Sequence, residues 1–156
     1  MTKIAFIGAG RMASAIVSGL ISQRVSTPAE LACLGGDDDT AQTLSQRTGI
    51  RVCQDLPELL ADADLVVLAF KPQHLASADP RFAELTAGKL ILSILAGKPL
   101  AVLGRVFPRA RNIVRAMPNT PGQIGSGITG WCSQSPLTSE DTTLVQKLLS
   151  ALGRHV

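Results

Sequence analysis

Short, unbroken apolar runs alternate along this chain with longer stretches whose apolar residues recur every three or four positions. Ile4-Ala5-Phe6-Ile7, Leu31-Ala32-Cys33-Leu34 and Leu65-Val66-Val67-Leu68-Ala69-Phe70 are runs of the first kind. Continuous apolar character over four to six residues predicts strands buried on both faces, as in a parallel sheet. The run that starts at Leu65 is the longest and is placed centrally. Further strands are predicted over residues 50–53, 90–95, 112–116 and 126–131. Met12, Ala13, Ile16, Val17, Leu20 and Ile21 fall at helical spacing and predict a helix over 11–23. Shorter helices are expected through 44–48, stopping at Gly49, and over 57–63 and 100–106. Residues 73–85 read as helical in parts, interrupted at Pro80. Thr138-Ser139-Glu140-Asp141 resembles a capping box with Asp in the usual Glu position, and opens a helix striped by Leu144, Val145, Leu148, Leu149 and Leu152. Residues 154–156 read as the start of another strand.

Strands alternating with helices predict an α/β fold: a doubly wound, Rossmann-type sheet, mostly parallel, with helices on both faces. The first strand runs straight into Gly8-Ala9-Gly10-Arg11-Met12-Ala13, which matches G-x-G-x-x-A, and then into the first helix. Each small residue has a physical role. Gly8 permits a tight turn, Gly10 lets a pyrophosphate approach the backbone, and Ala13 allows close packing of helix on strand. The free N–H groups and positive end of the helix then face phosphate. Ligands in such sheets bind beyond the carboxyl ends of the strands. Gly8-Ala9-Gly10, Ala69-Phe70-Lys71-Pro72, Ala96-Gly97 and Met117-Pro118-Asn119-Thr120 all fall at such ends and are expected to line one crevice.

Composition narrows the function. The 156 residues are expected to form a single domain, with 46% hydrophobic, 17% charged and only 3% aromatic residues. A net charge of +3 without a dense Lys/Arg block or aromatic interleaving argues against a nucleic-acid partner. No apolar run approaches the roughly 20 residues of a membrane helix, and Met1-Thr2-Lys3 leads directly into a strand, so neither membrane nor signal peptide is expected. Cys33, Cys53 and Cys132 lack C-x-x-C spacing and read as reduced, buried small hydrophobes of a cytoplasmic protein. With only His74 and His155 to join them, no metal site is expected.

Taken together, these residues resemble the N-terminal domain of the pyrroline-5-carboxylate reductase family. The resemblance is carried by Phe6-Ile7-Gly8-Ala9-Gly10 with Met12-Ala13, and by Leu68-Ala69-Phe70-Lys71-Pro72-Gln73. Ser93-Ile94 with Ala96-Gly97, Arg115-Ala116-Met117-Pro118-Asn119-Thr120-Pro121 and Gly125-Ser126-Gly127 complete it, so that it covers nearly the whole chain. It implies hydride transfer from NADP(H) or NAD(H) to the C=N carbon of 1-pyrroline-5-carboxylate, giving proline. By this resemblance Ile7, Gly8, Ala9, Gly10, Arg11 and Met12 hold the pyrophosphate, and Gly36 meets the adenosine ribose. Ala69, Phe70, Lys71 and Pro72 border the nicotinamide ribose and ring, with Ala96 and Gly97 further along the same edge. Asn119 faces the cofactor, and with Thr120 it faces the substrate side. No catalytic residue is named. The family dimerises through a helical C-terminal domain that supplies much of the substrate site. That domain is expected to be absent here, leaving an incomplete active site.

Three positions depart from the family pattern. Arg11 replaces an Asn or Gln, Gly36 stands where a Ser or Arg meets the ribose or its 2′-phosphate, and Leu56 stands where many members have Asn. With Asp37, Asp38 and Asp39 nearby, charge favours NADH, whereas family habit favours NADPH; both stay open. So do simpler readings of single residues. Lys71 reads as a loop lysine touching cofactor through its backbone, Asn119 as a turn cap, and Asp37 to Asp39 as a solvated helix start. His74 reads as a surface residue and Arg11 as either a phosphate contact or a solvated side chain. Trp131 and the Leu144/Leu148/Leu152 stripe are either core or a surface for another domain. Two other functions remain as alternatives: a related oxidoreductase acting on another imine, carbonyl or deazaflavin cofactor, and a non-catalytic dinucleotide-binding module.

Overall fold

A computed structural model describes residues 2–77, 80–118 and 127–156, with the side chains of residues 76 and 77 left out. The expected loop 119–122, with Asn119 and Thr120, therefore lies outside the described residues. The strands are β1 (Ile4–Ile7), β2 (Leu31–Leu34), β3 (Arg51–Val52), β4 (Leu65–Leu68), β5 (Leu90–Ser93), β6 (Asn112–Met117), β7 (Gly127–Ser133) and β8 (Gly153–His155). The helices are α1 (Arg11–Ser22), α2 (Thr40–Thr48), α3 (Leu56–Leu60), α4 (Phe82–Leu85), α5 (Leu100–Val106) and α6 (Ser139–Ser150).

The strands form one eight-stranded sheet in the order β3-β2-β1-β4-β5-β6-β7-β8. Pairing is parallel from β3 through β6. Order 3-2-1-4-5-6 is that of a doubly wound sheet, with its switch point between β1 and β4. There, Ile4 to Ile7 run in register with Leu65 to Leu68. β7 then returns antiparallel to β6, with Ala116 opposite Trp131, and β8 pairs with β7 in parallel.

The pleat sends alternate residues of each buried strand to two cores. Ile4, Phe6, Leu65, Val67, Leu90 and Leu92 face α1, α2 and α6. Ala5, Ile7, Val66, Leu68, Ile91 and Ile113 face α3, α4 and α5. Covering both faces is what demanded apolar runs instead of alternation. Leu148 and Leu152 are fully buried, and Leu144 and Trp131 pack against the same cluster, so the stripe of α6 is core.

Several local details differ from the sequence reading. The apolar run 65–70 ends as a strand at Leu68, because Ala69 and Phe70 belong to the turn at the switch point. Asp55 caps α3 by accepting the Glu58 N–H, so the helix begins at Leu56, one residue before Pro57. Thr138 caps α6 by accepting the Asp141 N–H, but the Asp141 carboxylate does not close the box; it takes a two-pronged ion pair from Arg111 at 2.7 and 3.0 Å. Cys33 and Cys53 are buried as expected, and burial first, then the neighbouring Cys53, pushes the Cys33 thiol up to about 11. Cys132 is exposed, because β7 has a solvated face where Ile128 and Cys132 emerge. Among the described residues no helix is long and apolar enough to cross a membrane.

Candidate functional site

The site is built where the turns after β1, β2 and β4 meet. Ile7 is buried at the end of β1, and its carbonyl accepts the Ala69 N–H at 2.8 Å. Gly8 follows with φ of +105°, and its N–H is donated to the Leu34 carbonyl at 2.8 Å. The single peptide group between Ile7 and Gly8 thus ties the turn after β1 to both neighbouring strands. A methyl group on Gly8 would lie 2.5 Å from the Ala69 carbonyl oxygen and 2.8 Å from the Phe70 nitrogen. Both the conformation and the space require glycine there.

Gly10 needs glycine for a different reason. Its φ of −75° suits any residue, and a methyl group there would meet nothing within 4 Å. Among the described residues, no atom fills the space that a side chain would take. Gly10 is also the N-cap of α1, without a side-chain cap and with no acid in the first helical turn. The N–H groups of Arg11, Met12 and Ala13 have no partner within the helix by geometry. These are the conditions for an anion at a helix N-terminus, and they fit a dinucleotide pyrophosphate at this turn.

A cleft opens beside this turn, lined by Gly8, Ala9, Gly10, Gly36, Ala69, Phe70 and Lys71 of the expected set. The remaining members of that set lie elsewhere. Met12 is half-buried on α1 against the core. Pro72 begins a 3₁₀ turn, Pro72–Ser77, next to Lys71. Ala96 and Gly97 are exposed in the turn after β5, two strands along the same edge from β1, and do not line this cleft. Arg11 is exposed at the start of α1. It lines a second groove on the other side of the glycine turn, together with Ser14, Asp39, Thr43, Leu44 and Arg47.

The cleft also gathers Asp37 and Asp38, which the sequence left between a place near the ribose and a solvated helix start, and His74, which it assigned to the surface. Asp37, Asp38 and Thr40 line it from the β2–α2 turn, and His74 from the 3₁₀ turn after β4. Asp38 accepts the Thr40 hydroxyl at 2.6 Å and the Thr40 N–H at 3.1 Å. These bonds, the hydroxyl first, hold its carboxyl below the usual carboxylate range, and the charge of Lys71 acts in the same direction. The available signal was positional: β2 and β4 flank β1 in a doubly wound sheet, so residues just past their carboxyl ends must border the glycine turn.

A family model described as "NADP oxidoreductase coenzyme F420-dependent" matches residues 3–97. The chain is 38% identical over 154 residues to a pyrroline-5-carboxylate reductase of Vibrio alginolyticus, covering 97% of this chain and 56% of that protein. It is 33% identical over 155 residues to the enzyme of that name from Methanosarcina acetivorans, covering 99% and 57%. Among solved structures, a pyrroline-5-carboxylate reductase from Coxiella burnetii superposes with a TM-score of 0.91 at 28% identity, covering 99% of this chain and 58% of the other. The Plasmodium falciparum pyrroline carboxylate reductase with NADP bound gives 0.83 at 25% identity, covering 99% and 56%. The chain thus spans little more than half the length of the relatives that it matches.

Proposed function

Since the chain belongs to the family described as NADP oxidoreductase, coenzyme F420-dependent, we propose that its glycine-turn cleft binds NADP(H) or NAD(H) for the reduction of 1-pyrroline-5-carboxylate to proline. The observation that carries this reading is the pair of glycines: Gly8 locked against Ala69 and Phe70, and Gly10 open on the side where a phosphate must come. Relatives named for this reaction cover nearly the whole chain. When bound, the nicotinamide supplies the hydride for a C=N carbon.

The chain's own residues bind and orient. The first N–H groups of α1 donate to the pyrophosphate across Gly10. The Ala69-Phe70-Lys71 backbone, fixed by the Ala69 N–H bond to Ile7, forms the wall along which the ribose and ring lie. Asn119 and Thr120, which follow β6 in the sequence, complete the set on the substrate side. Residues 1–156 act as one dinucleotide-binding domain of a cytoplasmic enzyme with a small-molecule substrate and no nucleic-acid partner. Substrate-carboxylate binding and dimerisation belong to the part of the relatives outside the match.

The reading is tested by titrating the purified chain with NADH and NADPH, and by assaying proline formation with and without a separately supplied C-terminal half of a relative. Binding by the chain alone, with turnover only when the second half is present, is the expected result. Proline formation by the chain alone, at the rate of an intact reductase, refutes the division of labour. Binding without turnover even with the second half present indicates a non-catalytic module. Failure to bind either nucleotide, with the chain folded, refutes the cofactor reading.

A further inference from the structure

The reading above leaves undecided whether the adenosine ribose carries a 2′-hydroxyl or a 2′-phosphate, and the β2–α2 turn bears directly on that choice. Gly36, Asp37, Asp38 and Thr40 border the cleft on one side; Ala69, Phe70, Lys71 and His74 border it on the other. Two carboxylates therefore flank the cleft, and among the described residues no arginine lines it. Asp38 is fixed by its two bonds from Thr40, and the single ammonium of Lys71 stands against the two carboxylates. Asp37 is engaged by no hydrogen bond or ion pair among the described residues, so its carboxylate is available to a ligand. A methyl group on Gly36 would meet nothing within 4 Å, so no side chain separates a ribose from these carboxylates.

Two arginines stand in the groove that adjoins the cleft, not in the cleft itself. Arg11 and Arg47 line that groove, which meets the cleft at Ala9, Gly10 and Thr40. Arg47 donates to the hydroxyl of Ser14 and, at 3.4 Å, to that of Ser18, which directs its guanidinium toward α1.

A ribose 2′-hydroxyl can donate a hydrogen bond to a carboxylate, whereas a 2′-phosphate carries close to two negative charges and calls for a guanidinium. We infer that this cleft selects NADH over NADPH, with Asp37 and Asp38 as the specificity-determining residues. The inference rests on the cofactor reading and goes against the nucleotide in the family's description.

Calorimetric titration of the chain with each nucleotide at low ionic strength tests it, alongside the Asp37→Asn/Asp38→Asn double variant. Asn keeps an oxygen that accepts from Thr40, so the turn is retained while the charge is removed; circular dichroism checks that. NADH is expected to bind at least about tenfold more tightly, since like charges brought together at a binding site are strongly disfavoured. Added salt narrows the gap by weakening the repulsion of NADPH. In the double variant the preference collapses, mainly through tighter NADPH binding. Equal or tighter NADPH binding by the unaltered chain overturns the inference and leaves the cofactor reading intact. An unchanged preference in the double variant removes the two carboxylates as its cause. Binding of neither nucleotide overturns the cofactor reading and the selectivity together.

Discussion

Two glycines two residues apart in one turn do unrelated work. Gly8 serves the fold: its positive φ and its contact with the Ala69 carbonyl leave no room for Cβ. Gly8→Ala is expected to destabilise the chain by about 3 kcal/mol, from backbone strain plus overpacking, measured by denaturant unfolding. Gly10 serves the ligand, because its missing side chain faces open space. Gly10→Ala is expected to leave the unfolding midpoint unchanged and to weaken nucleotide binding by about tenfold or more, as a methyl group enters the phosphate approach. A loss of stability without a loss of affinity at Gly10 would reassign it to the fold. The G-x-G-x-x-A pattern exposed both residues in the sequence. It could not tell which of the two packs against protein, since Ala69 lies some sixty residues further on.

Helix α6 is tied to the sheet by one polar clamp at the end remote from the cleft. Arg111 grips the Asp141 carboxylate and also donates to the carbonyls of Asp64 and Gly88, joining the turns before β4, β5 and β6 to the first turn of α6. The Arg111 bonds hold the Asp141 carboxyl below its ordinary value of 3.8, against the opposing effect of burial. A carboxyl with a lower pKa in the folded state than in the unfolded state contributes stability above the unfolded value and loses it as pH falls through the folded value. Asp141→Asn is therefore expected to cost about 1–2 kcal/mol near neutral pH, allowing for the partly exposed Arg111. That difference should shrink as the unfolding measurement is carried below about pH 4. A difference that is constant with pH would mean that the clamp acts through shape alone. The capping signal at Thr138 was legible because it is local; the partner of Asp141 lies 30 residues earlier in the chain.

At the scale of the molecule, the two cores on either side of the sheet are joined through β1 and β4, and the cleft opens at that junction. Nucleotide binding should consequently stabilise the whole fold. At a free nucleotide concentration 100 times Kd, linkage adds about 2.7 kcal/mol, which raises Tm by roughly 5–10 °C for a chain of this size. At the same nucleotide concentration, Gly10→Ala should cut that rise to about half or less, since a tenfold weaker Kd leaves about 1.4 kcal/mol, without lowering the Tm of the free chain. An undiminished rise in the variant would place the nucleotide away from the glycine turn.

The sequence by itself determined the order of strands and helices, the buried runs, the glycine turn and the family resemblance. Those features are written in spacings between near neighbours: continuous apolar runs, helical recurrence and small residues at fixed offsets. Only the tertiary structure decided which distant residues share the cleft. It brought Asp37, Asp38 and His74 to the glycine turn and carried Arg11 to the adjacent groove. It also turned β7 antiparallel, leaving Cys132 exposed. Those outcomes follow from strand order and register, which bring β2 and β4 against β1 across tens of residues of intervening chain. No local pattern of side chains specifies such a meeting; the packing of two cores on one sheet does.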